Sequence, residues 1–62
     1  MTYEVTAKTN RREICWETDS RVTANKWFDR MIRTKRTIDT DDPVLSCKLQ
    51  RGATLLRSAT LG

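Results

Sequence analysis

The feature that most constrains the fold is a change of hydrophobic period, in which one helical stripe lies between two stretches of alternating apolar and polar residues. The stripe occupies positions i, i+3, i+4 and i+7 and consists of Ala24, Trp27, Phe28 and Met31, with Ile32 at its edge. At about 100° per residue these side chains share one side of an amphipathic helix. The pattern predicts a helix over residues 20–36, in which Asp19 or Ser20 caps the first backbone N–H groups.

The alternating stretch before the helix predicts a β-hairpin over residues 2–18. Successive side chains of a strand point to opposite faces, so that one face of this hairpin is apolar. The inward positions are Tyr3, Val5 and Ala7 on the first strand and Ile14 and Trp16 on the second. Residues 9–12 supply the turn, because asparagine tolerates the left-handed conformation. In this register Cys15 faces outward.

The helix is expected to end in an acidic loop over residues 37–43, before a second hairpin over residues 44–61. Aspartate has a low helix propensity, and Pro43 disfavours the helical conformation of the residue before it. The first strand of this hairpin alternates again, and its inward positions are Leu45, Cys47 and Leu49. Arg51 and Gly52 mark the turn between the two strands.

The last strand allows two assignments of its inward face. One face carries Leu55, Ala59 and Leu61 together with Arg57, whereas Leu56 lies on the other face. We favour the Leu55 face as the inward one, with Arg57 reaching the rim of the core.

The order of hairpin, helix and hairpin predicts an α+β fold, ββαββ, in which a single amphipathic helix packs on a small β-sheet. The opening Met-Thr-Tyr and the helical segment Thr-Ala-Asn-Lys-Trp-Phe at 23–28 resemble the immunoglobulin-binding domains of streptococcal protein G. That resemblance implies a β-grasp-like arrangement, in which the helix crosses a four-stranded mixed sheet. It covers topology only, because no residue here matches an antibody-binding position. The alternative is a three-stranded antiparallel sheet with a loosely attached end.

Residue usage argues against catalysis and against a cofactor. The chain has no histidine, the commonest general base and metal ligand, and its two glycines cannot build a phosphate-binding loop. Cys15 and Cys47 lie too far apart for a CxxC pair, and a disulfide between them is the weaker alternative to reduced thiols. Asp39, Asp41 and Asp42 lack the glycine and the closing glutamate of a calcium loop. We therefore expect no enzymatic activity, no metal and no cofactor.

The chain also predicts one small soluble domain with no membrane partner. Its 62 residues contain no repeat and suffice for a single core. No apolar run approaches the ~20 residues of a membrane span. The first residues lack the basic start and the apolar stretch of a signal peptide, so we expect a cytoplasmic location.

The net charge of +4 is concentrated on the predicted helix. The candidate binding residues, for a partner protein or a polyanion, are Arg21, Lys26, Arg30, Arg33 and Arg36. Three of them, Lys26, Arg30 and Arg33, recur at i, i+4 and i+7 opposite the apolar stripe, and we call these three the basic ridge. Trp16 is a candidate aromatic anchor, although both tryptophans are expected mainly in the core.

These features favour a small non-enzymatic protein-binding module, an inhibitor or adaptor that acts on a larger protein with an acidic surface. Binding would use the basic ridge or an exposed edge strand. Free-standing proteins of this size are frequently inhibitors or adaptors, including many made by phages, which makes phage origin part of the hypothesis. The alternative is a small basic nucleic-acid-binding regulator that uses the same helix face, and a steep loss of binding with salt would favour it.

Overall fold

A computed structural model describes residues 1–61 and confirms the α+β fold with one helix packed on a four-stranded sheet. The elements, in chain order, are β1 (Tyr3–Lys8), β2 (Glu13–Thr18), α1 (Arg21–Thr34), β3 (Ser46–Arg51) and β4 (Thr54–Thr60). All the predicted elements are therefore present in the predicted order.

The sheet has the strand order β2-β1-β3-β4, and every neighbouring pair is antiparallel. The β-grasp-like label is not confirmed, because that arrangement requires a mixed sheet. The composition of the strands explains why β3, and not β4, lies beside β1. β3 directs Cys47 and Leu49 toward the helix, whereas the residues of β4 paired with them are Ala59 and Arg57. Placing β3 in the centre therefore removes more apolar surface from water.

The core lies between α1 and the two central strands. Val5 and Ala7 of β1 are fully buried and pair directly with Leu49 and Cys47 of β3. Above this face lie the buried helix residues Ala24, Phe28 and Met31. The two tryptophans, with Tyr3 and Ile32, are half-buried around this centre. The predicted stripe thus forms the helix side of the core, and its tryptophan, Trp27, lies at the margin.

The helix is shorter than predicted and ends for a different reason. Ser20 caps it, since its hydroxyl accepts a hydrogen bond of 3.2 Å from the backbone N–H of Thr23. At the other end Lys35 adopts a left-handed conformation with φ of 58°, and its N–H donates to the carbonyl of Met31 at 2.8 Å. The helix therefore ends at Thr34, before the aspartates and Pro43 are reached.

The acidic loop is closed by its own hydrogen bonds. The backbone N–H of Thr37 donates to the carbonyl of Asp42 at 2.9 Å, and the N–H of Asp42 donates back to the Thr37 hydroxyl at 2.9 Å. An isolated antiparallel β-bridge pairs Arg36 with Pro43 at the base of the loop. Thr37 is buried as a result, although its residue type favours the surface.

Two inward assignments in the second hairpin were wrong. Leu45 is 40% exposed, and its neighbour Val44, at 4%, fills the core instead, because β3 begins only at Ser46. Leu55 is 54% exposed, since an irregularity opposite Leu49 and Gln50 makes Leu56 an extra residue of β4. A bulge of this kind shifts the alternation by one position. Leu55 consequently pairs with Gln50, on the side away from the helix.

Arg57 keeps the inward face that the favoured assignment gave it. Because Arg57 pairs with the buried Leu49, its side chain lies on the helix side of the sheet, and at 38% exposure it reaches the rim of the core. Its guanidinium carbon lies 4.4 Å from the centre of the Phe28 ring. A charged residue therefore covers part of the core.

The central position of Phe28 leads to a stability prediction. Phe28→Ala should lower the free energy of unfolding by about 3–5 kcal/mol through lost burial and the cavity left behind. For 62 residues the total is roughly 3–9 kcal/mol, so most of the fold should be lost. Urea unfolding followed by tryptophan fluorescence measures the change. Val22→Ala, at the exposed Val22, is the matched control and should shift stability by less than about 0.5 kcal/mol; an equal loss there would contradict this account of the core.

Candidate binding surface

The basic ridge lies on the side of α1 that faces away from the sheet. Lys26, Arg30 and Arg33 are all exposed, and at 100° per residue they fall within an arc of about 60°. None of the three forms an ion pair with any of residues 1–61. The helix therefore presents three adjacent positive charges to solvent without internal neutralisation.

The one acidic residue of the helix is held away from this ridge. Asp29 lies three residues after Lys26 and four before Arg33, a spacing at which it would ordinarily pair with either. Instead its carboxylate accepts the Arg57 guanidinium at 2.9 Å. Arg57 is fixed in turn by a 3.1 Å hydrogen bond to the side-chain oxygen of Asn25 and by its stacking over Phe28. The core-covering arginine thus leaves the ridge unpaired.

The other two predicted binding residues lie apart from the ridge. Arg21 is the first residue of α1, and five helical residues place it about 140° around the axis from Lys26. Arg36 follows the helix, and its guanidinium donates to the carbonyl of Asp41 at 2.7 Å, with the Asp41 carboxylate 4.0 Å away. The structure therefore brings together three of the five cations proposed from the sequence.

The aspartates of the acidic loop contact three different parts of the molecule. Asp39 accepts the indole N–H of Trp16 on β2 at 3.1 Å, and Asp42 accepts the guanidinium of Arg12 in the first turn at 3.2 Å. Asp41 pairs with Arg36, as described above. Among residues 1–61 no three potential metal ligands converge. We call residues 37–43 the clasp, because its three aspartates bind Trp16, Arg12 and Arg36. None of these partners belongs to the basic ridge.

Trp16 is half-buried and packs against the core from the edge strand β2. Its indole N–H is already used inside the molecule, by Asp39. Any contact with a partner would therefore use the accessible part of the ring and not its hydrogen-bond donor. Its role as an aromatic anchor stays a prediction.

The face of the sheet opposite the helix is uncovered and polar, and sequence analysis did not single it out. A shallow depression of about 270 Å³ lies on it, lined mainly by Thr6, Lys8, Ser46, Lys48, Ser58 and Thr60. The sequence pattern that indicates this face is the set of polar residues that alternate with the core residues of β1 and β3. The charges on this face are mixed, because Lys8 and Lys48 share it with Glu4, Glu13 and Glu17.

The two thiols lie on opposite faces of the sheet. Cys15, exposed on the outer face as predicted, pairs with Thr6, whereas Cys47 is buried toward the helix. Both are free. Burial raises the pKa of the Cys47 thiol, which keeps it protonated and unreactive at neutral pH.

Comparison with protein-family models finds no match to this chain, and neither the curated proteins nor the solved structures yield one. Across residues 1–61, α1 is too short and too polar to pass through a bilayer. The function is therefore argued from the surfaces described above.

The contacts of Asp42 give a prediction about pH. The hydroxyl of Thr40, followed by the guanidinium of Arg12, lowers the pKa of Asp42 below its ordinary value of 3.8. A carboxyl whose pKa is depressed by folding stabilises the fold above its unfolded value, and this contribution is lost as the pH falls through the folded value. Asp42→Asn should therefore be less stable than wild type at neutral pH, and the difference should shrink below about pH 3.8.

Carbon-detected NMR titration of the Asp42 carboxyl provides the direct measurement. Thr40→Val removes the principal hydrogen bond and should raise the titration midpoint, whereas the wild-type midpoint should lie below 3.8. A wild-type midpoint at or above that value would show that the clasp contacts of Asp42 do not form in solution.

The Arg57–Asp29 ion pair gives a second prediction. In a double-mutant cycle with Arg57→Met and Asp29→Asn, the coupling free energy should be about 0.5–1 kcal/mol, because both side chains are partly exposed. Arg57→Met retains much of the apolar cover over Phe28, so the cycle isolates the charge interaction. Urea unfolding of the four proteins measures it, and a coupling near zero would mean that Asp29 is free to neutralise the ridge.

Proposed function

We propose that this chain is a small non-enzymatic protein-binding module, an inhibitor or adaptor that docks its basic ridge on the acidic surface of a larger protein. The observation that carries the proposal is that Lys26, Arg30 and Arg33 form no ion pair within the described residues 1–61, beside an aspartate already engaged by Arg57. Complementary charge of this kind steers a partner into place and fixes its orientation.

The dimensions and composition of the ridge suit a small patch on a folded protein. Lys26 and Arg33 are separated by about 10 Å along the helix axis. Val22, 66% exposed, lies about 40° around the axis from Lys26 and offers an apolar contact beside the charges. Two of the three cations are arginines, whose planar guanidinium binds carboxylates through two hydrogen bonds and is enriched at binding hot spots.

Direct reading of nucleic-acid bases has less support from the same helix. The amide of Asn25 is the only side-chain amide on α1, and both of its ends are used, one by the Arg21 carbonyl and one by Arg57. Adenine is read by such amides and guanine by arginines, so that the ridge, with Arg30 and Arg33, offers contacts to guanine alone, and single strands need exposed aromatic rings. Nucleic-acid binding through phosphate contacts alone is the second candidate, favoured by the net charge of +4.

A non-catalytic role agrees with the chemistry of the side chains. The chain has no histidine to activate a serine or to hold a metal. The thiol of Cys47 is buried, and its pKa is raised. These features support binding as the activity, and a measured turnover of any substrate would contradict it.

The test is an affinity pull-down from a cell extract with a charge-matched control. The ridge variant is Lys26→Ala/Arg30→Ala/Arg33→Ala, and the control variant is Lys8→Ala/Arg11→Ala/Lys48→Ala, which removes the same charge from exposed positions elsewhere. We expect a retained protein that survives nuclease treatment, binds the ridge variant at least about tenfold more weakly and binds the control as wild type does.

Two results would contradict the proposal. Equal losses in both variants would show that only net charge matters, and the ridge would not be a site. Retention of nucleic acid that nuclease removes, with binding that falls steeply as salt rises, would establish the second candidate instead.

A further inference from the structure

We propose that the free edge of β2 is a second docking surface, to which a cationic extended segment of a partner protein adds as a fifth, antiparallel strand. The segment carries a basic residue opposite Glu17 and an apolar residue opposite Trp16. This surface is separate from the basic ridge, because it lies on the edge of the sheet and not on the helix.

The two edges of the sheet differ in how they are protected. Natural sheets protect an edge with bulges, with charges that point inward or with a covering element. β4 has two of these devices, the extra residue Leu56 and the inward side chain of Arg57. β2 pairs with β1 in an unbroken register, and its inward residues Ile14, Trp16 and Thr18 carry no charge. The edge of β2 is therefore regular and accessible to a further strand.

The hydrogen bonds of the first hairpin determine which backbone groups face this edge. The N–H of Thr9 donates to the carbonyl of Arg12 at 2.8 Å, and hydrogen-bonded pairs then alternate along the antiparallel ladder. This alternation directs the backbone groups of Glu13, Cys15 and Glu17 away from β1. Among residues 1–61 no backbone hydrogen bond reaches these groups from another element. A docking strand therefore meets a regular row of unpaired donors and acceptors.

The side chains along this row select the charge of the occupant. Glu17 lies directly opposite Glu4 of β1, and like charges in such a pair repel each other. Neither carboxylate forms an ion pair within residues 1–61. An ammonium or guanidinium group placed opposite Glu17 relieves this repulsion. At the other end Glu13 faces Lys8 and lies two positions after Arg11, so a second cation gains less there.

The same charges exclude a second copy of this chain as the occupant. Two β2 strands paired in antiparallel orientation about Cys15 would set Glu13 of each copy opposite Glu17 of the other. Such like-charge pairs are destabilising and act against the wrong partner. The basic ridge does not repel a cationic segment strongly, because the helix is about 10 Å across and the screening length at physiological salt is about 8 Å.

Trp16 supplies the apolar contact at this edge. Its ring is half-buried, and Asp39 holds its N–H at 3.1 Å. Side chains directly opposite each other on antiparallel strands lie about 5 Å apart, so an apolar residue paired with Trp16 covers the accessible part of the ring. Ile14 offers a similar contact two residues away. The preferred segment therefore reads, from its N-terminus, basic, apolar, any residue, apolar.

The probe is a blocked synthetic peptide whose central sequence, Lys-Val-Thr-Val-Thr, matches this pattern in the antiparallel direction. The contact with a six-residue strand is smaller than the about 1,200 Å² of a standard stable interface, so we expect a Kd of about 0.1–1 mM. NMR titration of the whole chain at about 0.15 M salt measures this Kd. A second peptide, with glutamate in place of the lysine, is the charge control.

Two edge variants separate the contribution of charge from that of backbone pairing. Glu17→Gln removes the selecting carboxylate, and its matched control is Asp41→Asn, which removes the same charge from the exposed clasp. Cys15→Pro removes an N–H that faces the open side, a position at which an edge strand tolerates proline. Circular dichroism establishes that each variant is folded, and Glu17→Gln decides the outcome if Cys15→Pro is not.

We expect the lysine peptide to bind wild type, Asp41→Asn and the ridge variant with equal affinity. Glu17→Gln should bind it at least about threefold more weakly, and Cys15→Pro at least about tenfold more weakly. Hydrogen exchange at the amides of Glu13, Cys15 and Glu17 should be fast in the free chain and slow with the peptide bound.

Four results would each overturn the proposal. They are no binding at about 10 mM peptide, equal binding of the glutamate peptide, an unchanged affinity in either folded edge variant, and protection of β4 in place of β2. Because the ridge variant is expected to retain this binding, failure here and failure of the pull-down are independent of each other.

Discussion

The burial of one helix face against two strands is the interaction on which the rest of this structure depends. Phe28 and Met31 of α1 lie above Val5 of β1 and Leu49 of β3, and these are the largest side chains that are fully buried. A domain of this size has few other apolar groups with which to offset the entropy of folding. The edge strands, the loop and the ridge are all positioned by this contact, because each is attached to one of its three elements.

The sequence was a good guide where local pattern decides the outcome. The stripe of α1 and the alternation in β1, β2 and β3 each follow from the geometry of a single element. These patterns predicted five elements in order and most of the core, including Val5, Phe28 and Leu49. The bulge in β4 was not predictable in this way, because one extra residue reverses the alternation without changing the composition of the strand. Strand order was not predictable from the sequence either, because it depends on how much apolar surface each strand can bury.

In the candidate binding site, too, local spacing was predictable and long-range contacts were not. The spacing of Lys26, Arg30 and Arg33 predicted a common face, and the structure places them on one. Their unpaired state could not be predicted, because it depends on Arg57, which lies 28 positions after Asp29 in the chain. The partners of the acidic loop could not be predicted either, because two of its three carboxylates contact residues of the first hairpin, and only long-range structure shows this.

The pairing of β1 with β3 has a consequence for how the chain is made. Of the four strands of this sheet, the first to be synthesised is an inner one, β1, and its second neighbour ends at Arg51, paired with Tyr3. Until that late segment has been synthesised, β1 has one free side, and α1 lacks one of the two central strands that it covers. Contacts between such distant parts of a chain slow folding. The sheet of this domain is therefore completed only after β3 has been synthesised, and until then the first hairpin depends on its own polar residues to stay in solution.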